Sequence, residues 1–269
     1  MEIRENHRNN PHGRKKRRAG SGAASLVVIA ALLTAAASIG CSSIPKQEAD
    51  VPAAVAVFAH DHGIPLSAYP AELLELLKRN PETEEFVLGY PLHVQQKPDL
   101  SAYDRSAGVP LFLQWDSQWG YTAYGSGMLA VTGCGPTCLA MVGYYLTGEE
   151  RFTPDRVAAF ALAHGYYSYG NGSRWTLISR GGLQLGLDVT ELPLDQACIE
   201  QNLEAGNPII CVVGPGDFTT DGHFIVLAGI RDGKITVNDP NSKLNSGRLW
   251  AYEEIQDQIE ALWAVQYPE

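Results

Sequence analysis

Between residues 51 and 269 the apolar positions follow helical spacing first and strand-like runs later. In YPAELLELLK, residues 69–78, Leu73, Leu76 and Leu77 share one helical face, and Pro70 suits the first turn. Ala53 to His60 predicts a short helix, and Phe86-Val87-Leu88 a brief extended piece. Pro110 to Leu113 predicts a strand. Cys134 to Leu146 predicts a helix with Cys134, Cys138, Met141, Val142 and Tyr145 on one face, stopped by Gly148. Thr153-Pro154 opens a helix over Asp155 to His164, Ser173 caps one over Arg174 to Leu185, and Asp195 to Glu204 is another. Strands follow at Pro208 to Val213, His223 to Ile230 and Lys234 to Val237, then a helix at Glu253 to Ala261 and a strand at Trp263 to Gln266. Helices followed by a run of antiparallel strands make an α+β fold.

The N-terminus does not belong to that pattern. Met1 to Gly40 holds seven basic and two acidic residues, a net of +5, which leaves −15 on the rest of a chain whose total is −10. A body that acidic disfavours nucleic acid as a partner, because phosphate contacts need Lys and Arg. The basic run Arg14 to Arg18 precedes SLVVIAALLTAAASIG, apolar throughout, which reads as an export signal or membrane anchor over residues 1–40. Ser38-Ile39-Gly40-Cys41 resembles a bacterial lipoprotein box, with Ser38 in place of its usual Leu. Two readings stay open: a lipid anchor on Cys41, or a retained membrane helix of about 20 residues. Both put the acidic body on the extracytoplasmic face of a bacterial cell membrane. Residues 41–108 then form a tether with a short helical segment, and residues 109–269 the principal domain.

The candidate chemistry centres on VTGCGPTCLAMVGYYLTG, residues 131–148. A cysteine at a helix start meets free N–H groups and the positive end of the helix dipole, which stabilise a thiolate. Gly133 and Gly135 would let a substrate backbone approach, and Pro136 fits the first turn. Four readings of Cys134 and Cys138 compete: nucleophile, disulfide, half a metal site, or buried thiols. A disulfide between helix positions i and i+4 is strained. Zinc needs about four ligands, and Cys134, Cys138 and His223 supply only three. Cys198 and Cys211 read as buried thiols or a pair.

A thiol nucleophile needs a base. His60 and His62 flank Asp61 as solvated residues, while His93 and His164 read as structural. His223 differs, because it opens the apolar strand Phe224-Ile225-Val226-Leu227 after the flexible stretch Gly214 to Gly222, which should rim a cleft. If Arg231-Asp232-Gly233 is a three-residue hairpin loop, Ile230 pairs with Lys234. Asp239 then lies opposite Ile225, on the face of His223, where its carboxylate can orient the imidazole. A two-residue loop would instead turn Asp239 to the opposite face. Gln114 is the side-chain candidate for stabilising a tetrahedral oxyanion, alongside the Cys134 N–H. Trp115, Trp119, Tyr121 and Tyr124 are core residues or a groove wall.

The stretches VPLFLQWDSQWGY, GCGPTCLAM, GPGDFTTDGHFIVLAGI and ITVNDPNS, in that order, resemble the papain-like cysteine peptidases of family C thirty-nine. Within it they are similar to the exported, stand-alone branch, which YPAELLELLKRNPETEEFVLGYP and the ending ALWAV also resemble, so that the likeness extends to most of the body. The resemblance implies a papain-like fold, with a helical half carrying Cys134 packed on an antiparallel sheet carrying His223. It further implies Cys134 as nucleophile, His223 as base, Asp239 as orienting group and Gln114 as oxyanion donor, with no cofactor and a peptide or protein substrate. In transporter-linked members the glutamine stands much nearer the cysteine, whereas here Trp115 to Gly133 intervenes. Two other functions fit the same scaffold: a peptidoglycan-directed amidase or transacylase, and a non-catalytic surface binding lipoprotein.

Overall fold

The computed structural model describes residues 51–268, which fall within one compact unit. The predicted signal or anchor, Cys41 and the first residues of the tether lie outside the described residues. No helix among the described residues is long and apolar enough to cross a membrane.

The described chain begins with α1 (Ala53–His62), α2 (Ala71–Arg79) and α3 (Glu84–Gly89). A small hairpin, β1 (Ala123–Tyr124) and β2 (Gly127–Met128), leads into α4 (Leu129–Thr132) and the long α5 (Cys134–Thr147). Then come α6 (Pro154–Ala163), the hairpin β3 (Tyr167–Ser168) and β4 (Gly172–Ser173), the short α7 (Gly182–Gln184), β5 (Asp188–Glu191) and α8 (Gln196–Glu204). The C-terminal part holds β6 (Ile209–Val213), β7 (His223–Arg231), β8 (Lys234–Asn238), α9 (Lys243–Ser246), β9 (Leu249–Trp250), α10 (Tyr252–Ile255) and β10 (Ile259–Gln266).

Six strands form one antiparallel sheet in the order β5-β10-β6-β7-β8-β9. Because side chains alternate across a strand, the sheet feeds two cores. Ile210, Val212, Phe224, Val226, Trp263 and Val265 meet Cys138, Leu139 and Met141 of α5. Ile209, Cys211, Val213, Ile225 and Leu227 meet Ile199 and Leu203 of α8 on the other face. A third cluster joins Val55, Leu73, Leu77, Phe86 and Val87 to Trp115 and Ala130, so α1–α3 pack on the stretch that leads to Cys134. The α+β architecture, with a helix starting at Cys134 against an antiparallel sheet headed by His223, is the one the sequence predicts.

Several local expectations change. Phe86-Val87-Leu88 lies in α3, because Phe86 and Val87 must both face the third core. Pro110 to Leu113 pairs with no strand; its neighbours are tied instead by Asn238 Nδ2 to the Val109 carbonyl (2.9 Å) and by Gln114 N–H to the Pro240 carbonyl (2.7 Å). Ser173 caps no helix, since its hydroxyl pairs with Tyr124 (2.7 Å), and the helix expected after it shrinks to a wide turn, Leu177–Gly181, plus α7. Thr153 stands at the N-cap of α6 but makes no side-chain cap bond, whereas Asp195 caps α8 through Cys198 N–H (2.9 Å). The last helix ends at Ile255 rather than Ala261. Residues from Ile259 are drawn into β10, which has a strand on each side to pair with.

Candidate active site

Cys134 is the first residue of α5, so its own N–H lies in the turn where a helix offers no carbonyl partner. It is partly exposed, and it is a free thiol, as are Cys138, Cys198 and Cys211. The flanking glycines serve internal packing rather than substrate approach. A Cβ on Gly135 would sit 2.7 Å from the Ser173 Cβ and Oγ, and one on Gly133 would lie 2.4 Å from the Leu129 carbonyl oxygen. The helix start is thus wedged against β4 and α4, which fixes where the sulfur emerges.

His223 opens β7, opposite Val213 of β6, and is 8% exposed. Its Nε2 lies 2.8 Å from Asp239 Oδ1. Nδ1 is the ring nitrogen left for the Cys134 sulfur, and the two groups are near enough to shift each other's pKa in opposite directions. Asp239 is 1% exposed. Its Oδ1 also accepts from Asn241 N–H (2.8 Å), and its Oδ2 accepts from Asn245 Nδ2 (2.8 Å). A buried carboxylate in that position is fully solvated by donors, one of them the His223 ring.

Asp239 reaches this place by a route other than the expected one. The β7–β8 loop has two residues, Asp232 and Gly233, both left-handed (φ 55° and 71°), so Arg231 pairs with Lys234. On its own that register turns Asp239 away from His223. A bulge between Leu227 and Gly229 leaves Ala228 as an extra residue on β7 and shifts the pairing back by one, to Val226 opposite Asn238. One step further, Asp239 faces Ile225, on the diagonal from His223.

The electrostatics follow from the contacts. Burial pushes the Cys134 thiol up, but hydrogen bonding and charge from His223, with the N–H groups of Phe224 and Gly135, outweigh it and hold the thiol below its ordinary value. Burial pulls the His223 ring down, yet its hydrogen bonds with Asp239 and Cys134, and their charges, lift it above the usual imidazole range. These are the conditions for a thiolate–imidazolium pair. Cys138, one turn deeper and fully buried, is pushed the other way, first by burial and then by the charges of Cys134, Asp239 and Cys211. It is an inert core thiol.

Gln114 is buried between the two halves of the site. Its Nε2 donates to the Ala130 carbonyl (2.7 Å), just before α5, while its backbone N–H binds Pro240, next to Asp239. Oε1 is buried without a partner among the described residues. Trp115, Trp119 and Tyr124 are core residues, and Tyr121, half-buried, stacks on Phe86. The Gly214 to Gly222 stretch is pinned by Gln258, whose Oε1 accepts from Asp217 N–H (2.7 Å), and by Phe218 against Trp250. His60, His62 and His164 lie outside the site and are exposed, and His93, also outside it, packs its half-buried ring on Tyr121.

The model of the Peptidase_C39 like family matches residues 106–267, more than half of the chain, including Gln114, Cys134, His223 and Asp239. The chain belongs to that family. Among solved structures it is similar to the peptidase domain of Streptococcus ComA, a bi-functional ABC transporter involved in quorum sensing, at 16% identity and a TM-score of 0.41. That likeness covers 55% of this chain and 99% of the other. It is also similar to a C39-like peptidase from Bacillus anthracis, at 16% identity and a TM-score of 0.36, covering 60% of this chain and 96% of the other. No curated protein matches the chain. Within this family member, Asn245 and the Asn241 N–H escaped sequence reasoning. Their contacts depend on how residues 239–246 fold back, and an Asn four residues after Pro240-Asn241 carries no separate signal.

Proposed function

We propose that this chain is a cysteine peptidase that hydrolyses peptide bonds through Cys134, His223 and Asp239, held by its N-terminus at the extracytoplasmic face of a bacterial membrane. The observation that carries the reading is the His223 ring, 2.8 Å from the Asp239 carboxylate on one side and coupled on the other to the Cys134 thiol at the start of α5. The thiolate attacks the amide carbonyl, and the imidazolium gives its proton to the leaving amine. Neutral His223 then takes a proton from water, which releases the acyl group and restores the thiol. The tetrahedral oxygen is met by the Cys134 N–H and by the second Nε2 hydrogen of Gln114, the first being used on Ala130. Membrane attachment rests on the basic run Arg14 to Arg18, the apolar stretch after it and Cys41.

Labelling with an iodoacetamide probe tests the chemistry. Cys134 should react fast at pH 6 in the wild-type protein, with the reaction lost in Cys134→Ala and slowed to the rate of an ordinary thiol in His223→Ala. Slow labelling indifferent to His223 would favour a binding protein and refute the reading. Digests of a peptide library beside cell-wall fragments separate a peptidase from a wall amidase. Membrane fractionation of Cys41→Ala separates a lipid anchor, which this variant loses, from a retained helix, which it keeps.

A further inference from the structure

The loop that holds Asp239 is itself held from outside the family-matched residues. At the end of α2, Asn80 starts a tight turn over Pro81–Thr83: its Oδ1 accepts from Glu82 N–H (3.1 Å), and its carbonyl accepts from the Thr83 hydroxyl (2.7 Å). Thr83 is fully buried, so the turn is fixed in the fold. From it, Glu82 reaches across to residues some 160 positions later. Its Oε1 accepts from Ser242 Oγ (2.7 Å) and its Oε2 from Lys243 N–H (2.9 Å), while Asn80 Nδ2 donates to the Asn241 carbonyl (2.6 Å). Ser242 Oγ in turn accepts from Asn245 N–H (3.1 Å), and Asn245 Nδ2 is the donor on Asp239 Oδ2. An unbroken path of hydrogen bonds therefore runs from Glu82 through Ser242 and Asn245 to the carboxylate that orients His223.

We propose that Glu82, supported by Asn80, is a positioning residue for Asp239, so that the α2–α3 turn ahead of the family-matched region is part of the catalytic unit. This rests on reading Cys134, His223 and Asp239 as a hydrolytic triad. Residues 239–246 contain only the single short turn α9 and a lone bridge, Asp239 to Ser242. Bonds inside the loop fix its shape, and its place against the rest of the fold is set by Asn80 and Glu82 together with Trp115 Nε1 on the Asn241 carbonyl (3.0 Å), Gln114 N–H on the Pro240 carbonyl (2.7 Å) and Trp250 Nε1 on the Asn245 carbonyl (3.0 Å). Once Glu82 is gone, Asp239 spends less time at hydrogen-bond distance from His223. The imidazolium is then less stable, and the Cys134 thiolate with it.

The test uses the alkylation rate of Cys134 by iodoacetamide, followed against pH in the full chain, with the thermal midpoint measured separately. In Glu82→Ala the rise of rate with pH should move to higher pH, with the rate at pH 6 down roughly tenfold, the lower end of what one charge-assisted hydrogen bond is worth. Glu82→Gln, which keeps one acceptor oxygen, should fall between it and wild type, and it reads the same shift should Glu82→Ala fail to fold. Lys97→Ala breaks a surface ion pair of the same N-terminal stretch with Glu150 (2.9 Å) and should leave the profile in place. Glu82 profiles that superimpose on wild type, whatever the thermal midpoint does, overturn the proposal. A wild-type rate indifferent to His223→Ala overturns the triad reading itself, and that failure shows in a different arm.

Discussion

Replacing Asp239 by Asn removes a charge from beside His223 while keeping an acceptor for it. The Asn Oδ1 can still take the bond from Nε2 and from Asn241 N–H, both 2.8 Å in the native site. The new Nδ2 would face Asn245 Nδ2, donor to donor, and that clash is relieved if Asn245 turns its amide over to present oxygen. What remains lost is the attraction between carboxylate and imidazolium. For charges about 4 Å apart in an effective dielectric of about 20 it is about 4 kcal/mol. At about 1.4 kcal/mol per decade, that sets a ceiling of about a thousandfold on the drop in the ion-paired form. The retained hydrogen bond should keep the observed loss nearer a hundredfold. The sign is fixed by the contacts: Asp239 raises the His223 pKa, so its loss lowers that pKa, weakens the partner of the thiolate and returns Cys134 toward an ordinary thiol. Iodoacetamide alkylation from pH 5 to 9 reads this directly. The rise in rate should move to higher pH in Asp239→Asn, and further in Asp239→Ala, which also strands Asn241 N–H and Asn245. An unshifted rise in Asp239→Asn would refute the account of Asp239 as an electrostatic partner and leave it only a structural role.

Four further outcomes are expected. Peptide hydrolysis should follow a bell in pH, rising through the depressed Cys134 pKa and falling through the raised His223 pKa, where the leaving amine loses its acid; a single rising limb would contradict the ion pair. Gly135→Ala should lower Cys134 reactivity by pushing the helix start off Ser173, and Ser173→Gly in the same chain should restore part of it, since the clash is at 2.7 Å with that side chain; a double-mutant cycle on alkylation rates measures the coupling. Gly143→Ala puts a Cβ where the fully buried Phe152 ring now lies, so a denaturant midpoint should report a loss of about 1–3 kcal/mol, although Ala is the better helix former. Gln114→Ala should lower kcat by about a hundredfold with little change in KM if its amide meets the oxyanion, and lower neither if it only braces Ala130.

Much of the site was legible because its chemistry is local. A cysteine between glycines at a helix start, and a histidine at the mouth of an apolar strand, declare themselves through residue type and position alone. Asp239 is more instructive. The expected face was right, but the loop has two residues, and the register is restored by an extra Ala228 that no turn rule predicts. A bulge comes from how neighbouring strands must twist and pack, and the sequence of the hairpin does not encode it separately. The same limit explains the apolar trio around Phe86, drawn into a helix by the core it fills, and Pro110 to Leu113, apolar but without a strand to pair with.

By itself, then, the sequence determined the α+β class with its principal helices and strands, the candidate nucleophile and base, and the charge contrast between the N-terminus and the rest. Those depend on short-range periodicity and on residue chemistry. Only the tertiary structure decided which groups hold Asp239, that Gly133 and Gly135 answer to Leu129 and Ser173, and that Glu82 reaches Ser242 from across the chain. Such contacts join residues whose separation along the chain carries no signal, and only packing in three dimensions brings them within hydrogen-bond range.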